Sequence, residues 1–329
     1  MARWDRWLPQ LVAAVVTAAG VMGTPSANTD KVPTSGAPAS YYVVPTGPTG
    51  TGSSADSLGY QAGCNDGRNG VSGLRVLFYG TQESDGRIRP PGTSAKSPIA
   101  RVDEQWVQSA SVGWIRGFTQ CGSANAVLAI GVNNKADGGV DATSSGTSWA
   151  RLVERVAASA PLDRVAVTGA LDGEPSWSPA KWARQWVGAY VSHTRRLLYA
   201  ANSADGCPQT GEKTTCGNGW TVADVHYVST GAASNVVALP QIYRTDGAQA
   251  RQWAYVSRWG QSTGAGPLRI VGVLSQQSAC QQRSGCSGTS NSPAEARRQL
   301  SEALQENGQS GATQLVVTDM RWLGTPPEA

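Results

Sequence analysis

Apolar segments alternate with segments of helical spacing along most of this chain, and this alternation is the strongest constraint on its fold. Strands that alternate with helices predict parallel β/α units, and nearly continuous apolar strands fit a sheet covered on both faces. The predicted strands cover residues 74–79, 126–132, 164–172, 196–200, 236–243, 268–274 and 314–318; the predicted helices cover 99–118, 148–158, 220–229, 249–259 and 293–306, with one more beginning at about Pro179.

About seven such units without a second change of composition predict one α/β domain. The favoured architecture is a TIM-like β/α barrel, complete or slightly degenerate, with seven or eight strands. The alternative is a doubly wound open parallel sheet. No G-x-G-x-x-G follows a predicted strand and no G-x-x-x-x-G-K-[ST] occurs, so a nucleotide-binding form of that alternative is not indicated.

The N-terminus, over residues 1–27, has the order of a secretory signal peptide. Arg3 and Arg6 precede an apolar run over residues 11–22, and small residues follow. Cleavage fits imperfectly both at residues 21–23 and near Ala27. The run is short for a membrane span, which needs about 20 apolar residues; an uncleaved anchor is the alternative. We therefore expect a secreted or cell-surface protein whose membrane contact is limited to this segment, if it is not cleaved.

Residues 28–62 are rich in Pro, Gly, Ser and Thr. Such a composition buries too little apolar surface to offset its ordering entropy, so it predicts a flexible linker. Its one apolar island, Tyr41-Tyr42-Val43-Val44, could dock on the domain. The folded domain is then expected to span residues 63–329.

The chain has six cysteines, and an even number in an exported chain favours disulfide bonds. Two pairs each flank a polar loop, and two cysteines are left over. The predicted bridges are Cys207–Cys216, Cys280–Cys286 and Cys64–Cys121.

Several partner classes are not expected. No C-x-x-C pair occurs, and His193 and His226 lie near no matching cysteine spacing, so no metal site is predicted. A formal charge of +4 over 329 residues without a basic cluster does not indicate a nucleic-acid partner. No nucleotide or other cofactor is predicted. A serine hydrolase is also disfavoured, because no G-x-S-x-G motif is present.

Polar side chains follow most of the predicted strands where the strands end. In a β/α barrel these ends converge on the face where sites are built; alternatively, polar residues simply mark where strands become loops. The predicted binding residues are Gln82, Asn133, Asn202, Gln241, Gln276, Arg321 and Trp322, together with Trp177 in the turn after residues 164–172. Trp177 could stack on a sugar, although most of the twelve tryptophans are expected in the core.

Asp172 and Glu174 are the strongest catalytic candidates. Side chains two apart on a strand point to the same face. Hydrolysis of a glycosidic bond needs a protonated acid and a second group that stabilises the oxocarbenium-like centre. Glu174 is the candidate acid, because a neighbouring carboxylate and partial burial would raise its pKa. Asp172 is then its partner, with Tyr243 and Asp319 as candidates on the second side.

The Asp172-x-Glu174 ending resembles the last part of the chitinase-type signature Asp-Gly-x-Asp-x-Asp-x-Glu, although Val167, Thr168 and Ala170 replace its earlier residues. That resemblance implies an acid at Glu174 and an Asp172 that helps a substrate acetamido group act as nucleophile. The chain is also similar, from about Gly63 onward, to secreted, uncharacterised actinobacterial proteins with a glycoside-hydrolase-like barrel. The segments that carry this second likeness are residues 76–82 (Val-Leu-Phe-Tyr-Gly-Thr-Gln), 171–177 (Leu-Asp-Gly-Glu-Pro-Ser-Trp) and 240–243 (Pro-Gln-Ile-Tyr), followed by Gln252-Trp253.

Two functions are therefore expected. The first is an exported glycoside hydrolase-like protein that acts on a polysaccharide or cell-wall glycan. The second is a non-catalytic cell-surface protein that binds glycan or another surface component through the same face.

Overall fold

The structure is a computed structural model that describes residues 36–45, 54–159, 164–309 and 315–327. The predicted signal peptide and part of the predicted linker lie outside the described residues. The folded unit begins at Gly36.

Eight parallel strands form one large sheet. They are β1 Ala39–Val43, β2 Gly73–Phe78, β6 Ala126–Asn133, β7 Val165–Asp172, β8 Leu198–Ala200, β9 Val236–Ala238, β10 Gly272–Ser275 and β11 Val316–Leu323. Their order in the sheet is β10-β11-β1-β2-β6-β7-β8-β9. Two isolated parallel bridges, Ala238 with Ile270 and Gln241 with Leu274, join β9 to β10 and bring the sheet edges together. The sheet is thus a TIM-like barrel, as predicted. A small antiparallel sheet, made of β3 Thr81–Gln82, β4 Arg87–Arg89 and β5 Val102–Asp103, follows β2.

Helices connect successive barrel strands and surround the sheet. They are α1 Ala55–Asn69, α2 Glu104–Cys121, α3 Ala142–Ser159, α4 Ala180–His193, α5 Val222–His226, α6 Ala248–Ser262, α7 Gln277–Gln282 and α8 Pro293–Glu306. Short 3₁₀ turns cover Ala136–Gly138, Pro175–Trp177 and Gly217–Gly219, and a π-helical turn, Tyr227–Gly231, extends α5. Helix α8 matches its predicted range because Pro293 occupies its first turn and the Ser292 side chain caps Glu295 N–H.

Alternating side chains along the strands divide the core into two layers. Outward side chains pack against the helices, and inward ones fill the barrel. The inward layer includes Ala129, Ala170, Ala201, Leu274, Met320 and Trp322, whereas the outward layer includes Ile130, Val167 and Leu171. Among the described residues five tryptophans are fully buried and fill the core: Trp114, Trp149, Trp186, Trp220 and Trp253.

The barrel includes residues that composition assigned to a linker, and the predicted domain start at residue 63 is therefore too late. The apolar island forms β1, and residues 55–62 begin α1. Helix α1 is rich in glycine because it lies very close to α2: a Cβ added at Gly59 would be 1.9 Å from Ala110 O, and one at Gly63 would be 1.9 Å from Trp114 O. The glycines therefore permit helix packing here rather than flexibility.

Three disulfide bonds join all six cysteines with the predicted pairing: Cys64–Cys121, Cys207–Cys216 and Cys280–Cys286. The first ties α1 to α2, and the other two close short loops. Disulfides persist in oxidising compartments, which suggests an extracellular environment. Among the helices that the structure describes, none combines the length and apolar character needed to cross a membrane.

Candidate functional site

The two predicted acids lie together at the end of β7, the fourth barrel strand along the chain. Asp172 is its last residue and is 8% exposed, and Glu174 follows two residues later and is half-buried. Asp172 lies two residues after Ala170 on β7, so its side chain points to the same side as that of Ala170, which faces the barrel interior. Both carboxyl groups therefore lie at the barrel mouth, at the C-terminal ends of the strands where such folds place their sites.

Burial dominates the ionisation of this pair. Desolvation raises the pKa of Asp172 from 3.8 to about 7, and the Asp205 charge also raises it; the Gln241 hydrogen bond and the Lys135 charge lower it. Desolvation raises the pKa of Glu174 well above its ordinary value, and the charges of Asp172 and Asp205 raise it further. The pair thus retains a proton near neutral pH, which is the state that a general acid needs.

Gln241 and two tyrosines lie beside the acids. Gln241 Nε2 donates to Asp172 Oδ1 at 2.6 Å and to Ala201 O at 3.0 Å. The hydroxyl groups of Tyr42 and Tyr243 are 3.4 Å apart, joining the ends of β1 and the segment after β9. Burial raises the pKa of both tyrosines, and the charges of Asp172 and Glu174 raise it further. These side chains form one polar group at the barrel mouth, which we call the acid cluster: Tyr42, Asp172, Glu174, Gln241 and Tyr243.

Two asparagines hold the backbone that carries the acids. Asn134 Oδ1 accepts from Glu174 N at 2.9 Å, and its Nδ2 donates to Glu174 O at 3.0 Å and to Ser178 Oγ at 2.9 Å. Asn202 Oδ1 accepts from Gly173 N at 2.8 Å, and its Nδ2 donates to Ser229 Oγ at 3.1 Å. Asn202, predicted to bind substrate, thus positions the turn. Asn134 does so from the other side.

The predicted amides Gln82, Asn133 and Gln276 also have protein partners. Gln82 accepts from Trp186 Nε1 at 3.1 Å and donates to Ser145 O at 3.2 Å. Asn133 Oδ1 accepts from Thr81 Oγ1 and from Lys135 N. Gln276 Nε2 donates to Thr289 O at 3.1 Å. These contacts give all three a structural role.

Asp319, predicted as a second-side catalytic group, caps a helix instead. Its Oδ1 accepts from Ser275 Oγ at 2.5 Å and Gln277 N at 2.9 Å, and its Oδ2 accepts from Ser278 N at 3.0 Å. Asp319 directly precedes Met320 on β11, and because the Met320 side chain points into the barrel, that of Asp319 points outward. Its hydrogen bonds therefore stabilise the start of α7, and we do not retain it as a catalytic candidate.

Arg321 and Trp322 point to opposite sides of β11. Arg321 is paired in register with Tyr41 of β1. Its positive charge lowers the pKa of Asp66, which lies on α1 outside the barrel wall, away from the predicted substrate face. Trp322 faces inward, with its ring centroid 4.9 Å from that of Tyr42 and only 7% of its surface exposed. Trp322 therefore supports Tyr42 rather than offering an open stacking surface.

Three residues near the acids were missed by the sequence argument: Tyr42, Lys135 and Asp205. Tyr42 fell within the predicted linker. Lys135 directly follows Asn133-Asn134, and Asp205 lies three residues after Asn202, so both could have been found by reading further past the strand ends. Within the described residues the Asp205 side chain makes no hydrogen bond or ion pair, and it is half-buried. Its negative charge nevertheless raises the pKa of both Asp172 and Glu174.

Trp177 lies in the turn after Glu174 and is half-buried. Lys135 Nζ is 4.6 Å from the centroid of its indole ring. In the part of the chain that the structure describes, no group of three or more His, Cys, Asp or Glu side chains could hold a metal ion.

A scan against family models found no match, and a search of curated proteins found none either. The geometry of the acid cluster therefore has to carry the functional assignment.

Proposed function

We propose that this protein is an exported glycoside hydrolase-like enzyme that acts on a polysaccharide or cell-wall glycan. The observation that carries the proposal is the buried Asp172/Glu174 pair at the barrel mouth, whose raised pKa values keep a proton available near neutral pH. The three disulfide bonds support export.

Glu174 is the general acid in this proposal. It is half-buried, whereas Asp172 and Tyr243 are each 8% exposed, so it is the carboxyl group that a substrate reaches more easily. It donates its proton to the leaving glycosidic oxygen as the bond to the anomeric carbon breaks. Asp172, held by Gln241, does two things in its ionised form: it raises the pKa of Glu174 and it stabilises the positive charge that develops.

Asp205 replaces Asp319 as the candidate on the second side. The segment that carries it runs beside the Glu174 turn, because Ser203 N donates to Gly173 O at 3.2 Å and Asn218 Nδ2 donates to Pro175 O at 3.0 Å. Gly217 N donates to Asp205 O at 2.9 Å, and this bond holds the Asp205 backbone just outside the loop that the Cys207–Cys216 disulfide closes. A carboxylate there could accept a proton from the attacking water, which would leave Asp205 protonated and Glu174 ionised after one turnover.

The test is hydrolysis of a panel of polysaccharides, which includes peptidoglycan, chitin and acidic and neutral glycans. The rate of hydrolysis is measured by the release of reducing ends. Glu174→Gln is expected to lower kcat by at least about a hundredfold, because general acid catalysis contributes roughly 10²–10⁴-fold. Glu306→Gln, at the exposed end of α8, is the matched control and should retain activity. Full activity of Glu174→Gln on every responsive glycan would refute its assigned role.

The same panel separates the enzyme from a non-catalytic glycan-binding protein. Binding without turnover, unchanged in Glu174→Gln but lost in Trp177→Ala, would favour the binding protein. Trp177 is the appropriate probe because it lies three residues beyond Glu174 and remains half-buried rather than fully packed.

A further inference from the structure

A cleft of about 510 Å³ is lined in part by Ser176 and Trp177, in the turn that follows Glu174. One wall is the segment after β4, and the other is the turn after β7 that carries Trp177, three residues beyond Glu174. Its lining includes Arg89, Thr93, Ser94, Lys135, Asp137 and Trp177. A glycan chain bound at Glu174 could therefore extend into this cleft.

The two cations of the cleft differ in their partners. Arg89 is buried and already compensated: its Nε lies 3.0 Å from Glu83 Oε1, and its Nη2 lies 2.5 Å from Asp137 Oδ1. Lys135 forms no ion pair with any residue that the structure describes. Its ammonium instead lies over the Trp177 ring, and its backbone N–H is held by Asn133 Oδ1 at 3.1 Å.

An ammonium on an aromatic face keeps its N–H donors available. A cation–π contact near the surface is weaker than a charge-assisted hydrogen bond, so an anion in the cleft can draw the ammonium from the ring. The movement would also uncover the indole face, which suits the C–H face of a sugar. One monovalent cation that forms no ion pair among the described residues matches the single charge of a carboxylate better than the higher charge of a phosphate.

We propose that this cleft is a binding subsite for a carboxylate-bearing sugar residue, in which Lys135 pairs with the carboxylate and Trp177 contacts the ring. The inference rests on the proposed function, since it takes the glycan whose bond Glu174 protonates to extend past Trp177 into the cleft. Lys135 is thus the residue that determines specificity for an acidic glycan.

Binding is measured in the full chain carrying Glu174→Gln, so that no turnover is required. Isothermal titration calorimetry compares an oligogalacturonide with the same oligosaccharide after reduction of its carboxyl groups. The acidic ligand is expected to bind more tightly. Lys135→Met should weaken its binding roughly tenfold, the effect of losing one charge-assisted hydrogen bond, and should leave the neutral ligand almost unchanged.

Two further variants make the result specific. Lys135→Arg should retain the preference, and Lys181→Met, on the outer side of α4, is the matched control that should also retain it. Thermal unfolding confirms that each variant folds. Equal affinity for both ligands, no measurable binding of either at millimolar concentration, or an unchanged preference in Lys135→Met would overturn the proposal. A preserved preference in a protein that hydrolyses no glycan would instead refute the proposed enzyme and leave the subsite standing.

Discussion

Replacement of Asp172 by Asn is expected to stabilise the protein, by an amount that grows with pH. Burial raises the pKa of this carboxyl group from 3.8 to about 7. Well below pH 3.8 the group is protonated in both the folded and the unfolded chain, so its ionisation does not affect stability. As the pH rises toward 7, the unfolded chain releases the proton while the folded chain retains it, and the free energy of unfolding therefore falls.

The size of this loss follows from the two pKa values. A difference between 3.8 and about 7 corresponds to about 4 kcal/mol above pH 7, which is an upper bound for one group. The Asp172→Asn substitution removes the ionisable group and keeps an oxygen that can accept from Gln241. The pKa of Glu174 should also fall, because the Asp172 charge that raises it is gone. We expect a gain of about 2–4 kcal/mol at pH 8 and less than about 1 kcal/mol at pH 4.

Urea unfolding of the disulfide-intact protein, at pH 4, 6 and 8, measures this gain. Asp246→Asn is a control of opposite sign. The Arg244 hydrogen bond, the Ala248 N–H and the Arg244 charge lower the pKa of Asp246 to about 2, so its contribution is present at pH 8 and is lost as the pH falls through that value. This exposed pair should contribute less than about 1 kcal/mol. A gain from Asp172→Asn that is the same at pH 4 and pH 8, or a loss at pH 8, would refute the reasoning.

Two other substitutions test which polar groups are structural. Asp319→Ala should lower the free energy of unfolding by about 2–4 kcal/mol, because three hydrogen bonds to a carboxylate are lost, and should leave kcat per folded molecule unchanged; a stable but inactive variant would restore Asp319 as a catalytic candidate. Asn134→Ala removes three hydrogen bonds that hold Glu174 and Ser178, so urea unfolding should show a loss of about 2–4 kcal/mol and hydrolysis assays a lower kcat. Unchanged values of both quantities would show that Asn134 does not position Glu174.

The barrel was predictable because its signals are local. The apolar runs that became β6 and β7 lie within a residue or two of their predicted ends, and the Ser292 cap and Pro293 fix the start of α8. Helix α1 was missed because its glycines read as a linker, although they serve close packing against α2. That requirement arises only in tertiary structure, so composition alone could not reveal it.

The candidate site was predictable where it follows strand alternation. Asp172 and Glu174 share a face because they are two residues apart, as expected. The faces of Asp319 and Trp322 could not be predicted in the same way, because the predicted strand ended at residue 318. In the structure β11 continues to Leu323 and places the two side chains on opposite faces. Tyr42 reaches the acids only through pairing of β1 between β2 and β11, a contact between residues distant in sequence.

The partners of the carboxyl groups distinguish the acid pair from the structural acids of this chain. Glu83 lies between Arg89 and Arg101, and Asp319 accepts three hydrogen bonds, so burial of these groups is offset. For Asp172 the contact is a neutral amide, Gln241, and among the described residues neither it nor Glu174 forms an ion pair. Burial of two adjacent carboxyl groups with so little compensation lowers stability above neutral pH, and a packing role would be better served by apolar or amide side chains. Because the arrangement costs stability and keeps a proton at the C-terminal ends of the barrel strands, it supports the catalytic role that we propose for the pair.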